Sequence, residues 1–303
     1  MPPAATASHL RQGSANAQQP TKNLTLETIA TPSAFDGSLL AALAAGLVLT
    51  GIVSGILAGL LGVGGGIVIV PTLFWMLTLL HLPAELVPHL AVATSLAVII
   101  PTSISSATAH RRRGNFDASL FRLWGPAIFI GALIGGIMSS FISGTGLRLV
   151  FGVVGLLVAI NMAIPKTLVV SAALPASNGL NRLLASIIGF ISSLMGIGGG
   201  TLSVPTLTAF SFPIHRAVGT SASLGLLIAL PAVAGFIWSG WTVANRPPLS
   251  LGYVSLPAVL IIAPMSFLFA PLGARIAHTL NPRRLKLAFA LFLALTSMRM
   301  LLG

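Results

Sequence analysis

Apolar runs alternate with short polar or basic breaks from Leu39 to the end of the chain. Ten runs are legible: Leu39–Leu61, Ile67–Leu80, Val87–Thr108, Leu120–Ile142, Leu147–Ile164, Arg182–Met195, Thr201–Phe212, Ala217–Trp238, Leu251–Ala270 and Leu285–Leu302. A helix needs about 20 residues to cross the hydrocarbon core. Most of the runs reach or approach that length; the second, sixth and seventh fall short of it. The run-lengths suit helices rather than the alternating strands of a membrane β-barrel. The expectation is an all-α polytopic membrane protein of about ten segments, with short, glycine-interrupted segments among them.

The two halves of this pattern repeat. GVGGGIVIVPTL from Gly62 matches GIGGGTLSVPTL from Gly196. HLAVATS from His89 matches HRAVGTS from His215, and LRLVF from Leu147 matches LKLAF from Leu285. Three matched blocks in one order indicate an internal duplication of five segments per half. An odd number of crossings turns the second half upside down relative to the first. The domains expected are a polar tail over residues 1–37, a first repeat over 38–165, a connecting segment over 166–181 and a second repeat over 182–303. No apolar run precedes Ser38, so no cleaved signal peptide is expected. The tail's composition suits disorder, and the Asn23 sequon reads as chance.

Composition then narrows the class. Only 7% of residues are charged, against 55% hydrophobic, and mean hydropathy is +0.99. A soluble surface carries about 25% charged residues, so this chain belongs in a bilayer. The formal charge of +12 comes from 16 Lys and Arg against 4 Asp and Glu. These basic residues flank the apolar runs and read as a topology signal, not as a nucleic-acid surface. With ten crossings one side collects Arg111, Arg112, Arg113, Arg122, Lys166, Arg182, Arg216, Arg275, Arg283, Arg284 and Lys286. The other keeps Arg148, Arg246 and Arg299. The first side is then cytoplasmic and both termini lie outside. Four crossings per half, with segments 2 and 7 re-entrant, would split the charge almost evenly. Cysteine is absent, which excludes disulfide and thiol chemistry.

The glycine blocks Gly64–Gly65–Gly66 and Gly198–Gly199–Gly200 carry the chemistry. A helix interrupted at membrane depth must be buried in protein or line a wet cavity. It also exposes the first N–H groups of the next helix, which attract anions without a charged side chain. Paired short Gly/Pro-interrupted segments mark transporter binding sites. Close helix packing is the competing reading of the blocks, and the preferred one for Gly135–Gly136. Thr94–Ser95 and Thr220–Ser221 recur beside the blocks as further substrate-binding candidates, although such hydroxyls also bond back to their own helix. Inversion places Gly64–Gly66 at the depth of Thr220–Ser221, and Gly198–Gly200 at that of Thr94–Ser95. His89 and His215 recur, and histidine is the side chain suited to proton exchange at physiological pH, which makes them proton-coupling candidates; interface anchoring competes. GVGGG lacks the ending of a phosphate loop. The histidines are dispersed and carboxylates scarce, so no metal or cofactor site is expected. No acid, base and nucleophile set suggests an enzyme.

The paired GxGGG…VPTL blocks, the AVATS and AVGTS helices, RRGNFD and the closing GARIAHTLNPRRLKLAFALFLAL resemble the TauE/SafE family. The resemblance covers about residues 38–303. It implies a secondary transporter of the bacterial inner membrane for sulfite, a sulfonate or another sulfur-containing anion, coupled to protons. Export by alternating access is the leading expectation. Import of such an anion, or a scaffold or channel-like subunit without coupled transport, are the alternatives. The partners expected are the small anion, protons and membrane lipids, not nucleic acid.

Overall fold

The computed structural model describes residues 37–164, 169–277 and 282–302. The tail expected over residues 1–37 therefore lies, up to residue 36, outside the described residues, as does the start of the connecting segment at 165–168. Ten helices occupy the described residues: α1 Gly37–Leu61, α2 Gly66–Leu79, α3 Leu86–Arg111, α4 Ala118–Met138, α5 Gly144–Ala163, α6 Asn178–Met195, α7 Gly200–Ala209, α8 Ile214–Ser239, α9 Leu256–Ile276 and α10 Pro282–Leu302. Six of them (α1, α3, α4, α5, α8 and α9) are long and apolar enough to cross a membrane, α4 together with the 3-10 turn Ser139–Phe141 that continues it. At 1.5 Å per residue α2 and α7 are only about 21 and 15 Å long. Each falls short of a hydrocarbon core of about 30 Å.

Helix ends follow the side chains available to satisfy them. Asp117 opens α4 by accepting from the Leu120 N–H (2.9 Å), and Ser143 opens α5 through the Gly146 N–H (3.1 Å). Such caps absorb N–H groups that the first turn leaves without a partner. Ser177 does the same for α6 through Leu180 (3.4 Å), so that helix starts a turn before the apolar run does. Helix α3 also outlasts its apolar run, which ends at Thr108, and reaches Arg111, whose cation in the last turn is favourable to the helix dipole. Helix α9 begins later than its apolar run. The residues before it form an antiparallel pair, β1 Ser250–Leu251 with β2 Val254–Ser255, turning at Gly252 with φ +57°.

The body from Ala41 onward is built around α3 and α8, the most buried of the spanning helices. These two pack on each other; α4 lies against α6 and α8, α9 against α3, and α5 against α10. Small residues set the distances. Gly51, Gly55 and Gly59 form one stripe of α1 pressed on Ile262, Ser266 and Ala270 of α9. Gly131 and Gly135 of α4 meet Ser186 and Phe190 of α6, and Gly189 of α6 meets Ile128. Gly136 of α4 faces Ala232 of α8, so the Gly135–Gly136 pair serves packing at two neighbours at once. Lipid supplies no hydrophobic push between apolar helices, so close backbone approach has to provide the attraction.

That dependence is testable at one crossing. A Cβ on Gly55 would sit 2.5 Å from the Ser266 carbonyl oxygen and 2.8 Å from its Cα, both backbone atoms of α9. Gly55→Ala is expected to cost about 1–3 kcal/mol by forcing the helices apart. Thermal unfolding in detergent checks this, with Gly46→Ala as the control, because that Cβ meets only the flexible Met76 Cε at 3.3 Å.

Candidate functional site at two broken helices

Both glycine blocks sit at helix breaks, and the breaks lie against one another. Helix α1 ends at Leu61, and Gly62, Gly64 and Gly65 take φ of +67°, +71° and +79° before α2 begins at Gly66. These are left-handed conformations that side chains with a Cβ rarely adopt. Helix α6 ends at Met195 with Gly196 at φ +68°, and α7 begins at Gly200. A Cβ on Gly64 would lie 3.1 Å from the Gly198 Cα, and one on Gly198 would lie 2.6 Å from the Val63 carbonyl oxygen. One on Gly66 would strike the Gly196 carbonyl, and one on Gly200 the Gly62 carbonyl. A Cβ on Gly65 would strike the Ser54 backbone, and one on Gly199 would lie 2.8 Å from both the Ser221 carbonyl oxygen and the Gly225 nitrogen. All six block glycines are buried.

The recurring hydroxyls divide into two kinds. Ser95 donates to the Gly196 carbonyl (2.7 Å) and so ties α3 to the end of α6. Thr94 accepts the Ser255 N–H (3.0 Å) at the head of α9, and Thr220 accepts the Asp117 N–H (2.9 Å) at the head of α4. The two threonines therefore anchor helix starts through their hydroxyl oxygens. Ser221 differs: its hydroxyl is buried with no hydrogen-bond partner among the described residues. Ser103, Ser192, Thr201 and Ser203 share that state. A Cβ on Gly225 would meet the Ser103 hydroxyl at 2.8 Å, and Gly225 itself abuts Gly199. Thr201 follows Gly200 in the first turn of α7, and the Ser203 N–H donates to the Gly199 carbonyl (3.0 Å). Buried hydroxyls normally have partners, so an accumulation of unpaired ones beside one break is informative.

The breaks are therefore chemically unequal. The first turn of α2 reads Gly66, Ile67, Val68, Ile69, without a hydroxyl, whereas that of α7 reads Gly200, Thr201, Leu202, Ser203. Sequence reasoning singled out Ser221 but missed Ser103, Ser192, Thr201 and Ser203. The GGGT in place of GGGI was the available signal for Thr201. Ser103 had none, because it comes from a distant turn of α3. A second hydroxyl group is internally satisfied: the Ser266 hydroxyl stands 2.8 Å from that of Thr102 and 3.3 Å from that of Ser54.

The recurring histidines occupy different settings. His89 is buried; its Nδ1 lies 2.9 Å from the Glu85 carbonyl, and its Nε2 lies 3.1 and 3.0 Å from the carbonyls of Ser139 and Ile142. Its ring stacks on Tyr253 with centroids 4.8 Å apart. Tyr253 belongs to the hairpin preceding α9, where burial raises its phenol above the ordinary range against the lowering pull of Arg246. His215 is exposed near the start of α8. Glu85 accepts the Gly144 N–H (2.9 Å), and Asp117 pairs with Arg216 (3.1 Å), so both described carboxylates serve helix ends. Among the described residues no group of three or more His, Cys, Asp or Glu is placed to hold a metal ion.

Comparison with known proteins agrees with this architecture. The family described as "Sulfite exporter TauE/SafE" matches residues 47–300. A "probable membrane transporter protein" of Haemophilus influenzae is 39% identical over 84% of this chain and 97% of its own length. A protein with that description from Methanocaldococcus jannaschii is 30% identical over 84% of this chain and 94% of its own. YunE of Bacillus subtilis, likewise a probable membrane transporter protein, is 28% identical over 82% and 94%. No solved structure matches significantly. The match over most of the chain, on a helical body with six spanning helices, establishes that the chain belongs to the TauE/SafE family of membrane transporters and is not an enzyme.

Proposed function

We propose that the chain is a secondary transporter that moves a small sulfur oxyanion, sulfite or an organosulfonate, by alternating access between two inverted repeats. One observation carries the anion reading. Thr201 in the first turn of α7, and Ser221 and Ser103 from helices packed near its start, carry buried hydroxyls that have no protein partner among the described residues. Backbone N–H groups and hydroxyls both donate, and the α7 dipole adds partial positive charge at the same place. Sulfite and sulfonate oxygens accept. A site without a full cationic charge holds such an ion loosely enough to release it.

The inverted-repeat reading draws support from paired features. Exchanging α1–α5 with α6–α10 carries the α1–α9 contact onto α6–α4, and the α3–α9 contact onto α8–α4. The α3–α8 and α5–α10 contacts map onto themselves. Left-handed residues recur in order, Gly62 with Gly196 and His81 with Ser211. Thr94 and Thr220 cap the head of a helix in the opposite half. In this reading the closely packed breaks represent an occluded form, opened to one side at a time as the halves rock. The arginine-rich α3–α4 connection faces the cytoplasm, the direction is export, and protons couple through the recurring histidines, with His89 the buried member of the pair.

Two measurements test this. Purified protein in proteoliposomes is expected to give saturable sulfite flux that responds to a pH gradient; ohmic flux would indicate a channel, and no flux of sulfite or sulfonate a scaffold. The second separates binding from folding. Ser221→Ala removes a hydroxyl that has no hydrogen-bond partner among the described residues, so the melting temperature should hold. Sulfite affinity should weaken several-fold, the equivalent of about 1 kcal/mol for one hydrogen bond. Thr220→Val should do the reverse, costing about 1–3 kcal/mol of stability by leaving the Asp117 N–H without its acceptor. Unchanged affinity in Ser221→Ala removes the second break as the binding place.

A further inference from the structure

A groove of about 450 Å³ runs between α3, α4 and α8 on the arginine-rich side of the molecule. Ligand pockets span roughly 300–1,000 Å³. Its two ends differ in chemistry. Arg111 and Arg122 stand at one end, with the Arg111 guanidinium held over the Phe116 ring at 4.6 Å. Ile104, Leu226 and Leu227 form the other. Ile104 lies seven residues before Arg111 on the same face of α3, about 10 Å further into the membrane. It is 45% exposed, so this wall faces outward rather than into the helix core. The Thr108 hydroxyl between them is spent on the Ile104 carbonyl (2.7 Å) and adds nothing polar to the wall.

Among the described residues no carboxylate compensates the charge at the mouth. Of the four acidic residues in the chain, Glu27 and Asp36 lie outside the described residues. Glu85 binds the Gly144 N–H, and Asp117 pairs with Arg216. No described carboxylate pairs with Arg111 or Arg122. A cavity at the end of α8, lined by Ala234, Ile237, Trp238 and Trp241, has no charged lining residue and presents Trp238 at 80% exposure. The guanidiniums are therefore particular to the first groove.

We propose that this groove binds an anionic phospholipid from the arginine-rich leaflet, its phosphate between Arg111 and Arg122 and an acyl chain along Ile104, Leu226 and Leu227. A free inorganic anion would satisfy the guanidiniums but leave the aliphatic wall unused. A zwitterionic lipid would fit the wall but bring its own cation to the mouth. A lipid phosphate with net negative charge matches both ends, by the rule that makes basic pockets between membrane helices headgroup sites. The proposal is independent of the anion site at the glycine breaks.

Native mass spectrometry of the full chain in detergent tests it, with dioleoyl phosphatidylglycerol, dioleoyl phosphatidylcholine and soluble glycerol 3-phosphate as probes. Phosphatidylglycerol should stay bound where the other two do not. The double variant Arg111→Gln/Arg122→Gln should lower its retention at least tenfold. Leu226→Trp, which fills the groove while keeping both arginines, should lower it likewise, so the outcome does not hang on one variant's folding. Equal retention of phosphatidylglycerol by the wild type and either folded variant would overturn the proposal. So would equal retention of phosphatidylcholine, or binding of glycerol 3-phosphate as strong as that of the lipid, which would assign the arginines to free anions.

Discussion

Backbone N–H and C=O groups have no water to turn to inside a bilayer, and each one left unpaired costs several kcal/mol. Two helix breaks at depth can survive only where protein encloses them. Here each break supplies much of the other's enclosure, through contacts in which the Gly62 and Gly196 carbonyls lie against Gly200 and Gly66. Any side chain at those positions would pry the pair apart. Ser95, reaching from α3 to the Gly196 carbonyl, completes part of the pairing. Packing thus gives the two glycine blocks a first physical reason.

The remaining helices hold the breaks in register by the same means. Glycine stripes on α1 and α4 let them sit directly on α9 and α6. Threonine side chains at the starts of α3 and α8 receive the backbone N–H groups that open α9 and α4. These bonds tie each half to the other at both ends of the central helix pair.

Against that shared frame, the departures from equality between the halves carry the functional argument. The first turn of α2 carries aliphatic side chains, whereas that of α7 carries the hydroxyls of Thr201 and Ser203, which have no partner among the described residues. Unpaired buried donors are expensive unless something satisfies them, and the proposed oxyanion would do so with its acceptor oxygens. Cationic side chains are spent elsewhere, at helix ends and membrane interfaces, where Arg111 and Arg122 meet an aliphatic groove rather than a carboxylate.

Much was legible from the chain alone. Apolar run-length identified the helices, because burying backbone in lipid forces helix and little else, and the repeated blocks supplied the expectation of a duplication on which the proposed inverted-repeat reading rests. The ends were less legible: Ser177 extended α6, and the hairpin at Ser250–Ser255 delayed α9, since caps and turns are decided by a few side-chain bonds rather than by hydropathy. The sequence by itself determined that Gly64–Gly66 and Gly198–Gly200 interrupt membrane helices and that hydroxyls recur beside them. Only the tertiary structure decided that the Thr94 and Thr220 hydroxyls accept the N–H groups at two helix heads and that Ser103 from α3 lies beside Gly225, which packs on Gly199. Hydrogen-bond satisfaction is a property of what lies across the gap, and no local pattern records which neighbour arrives there.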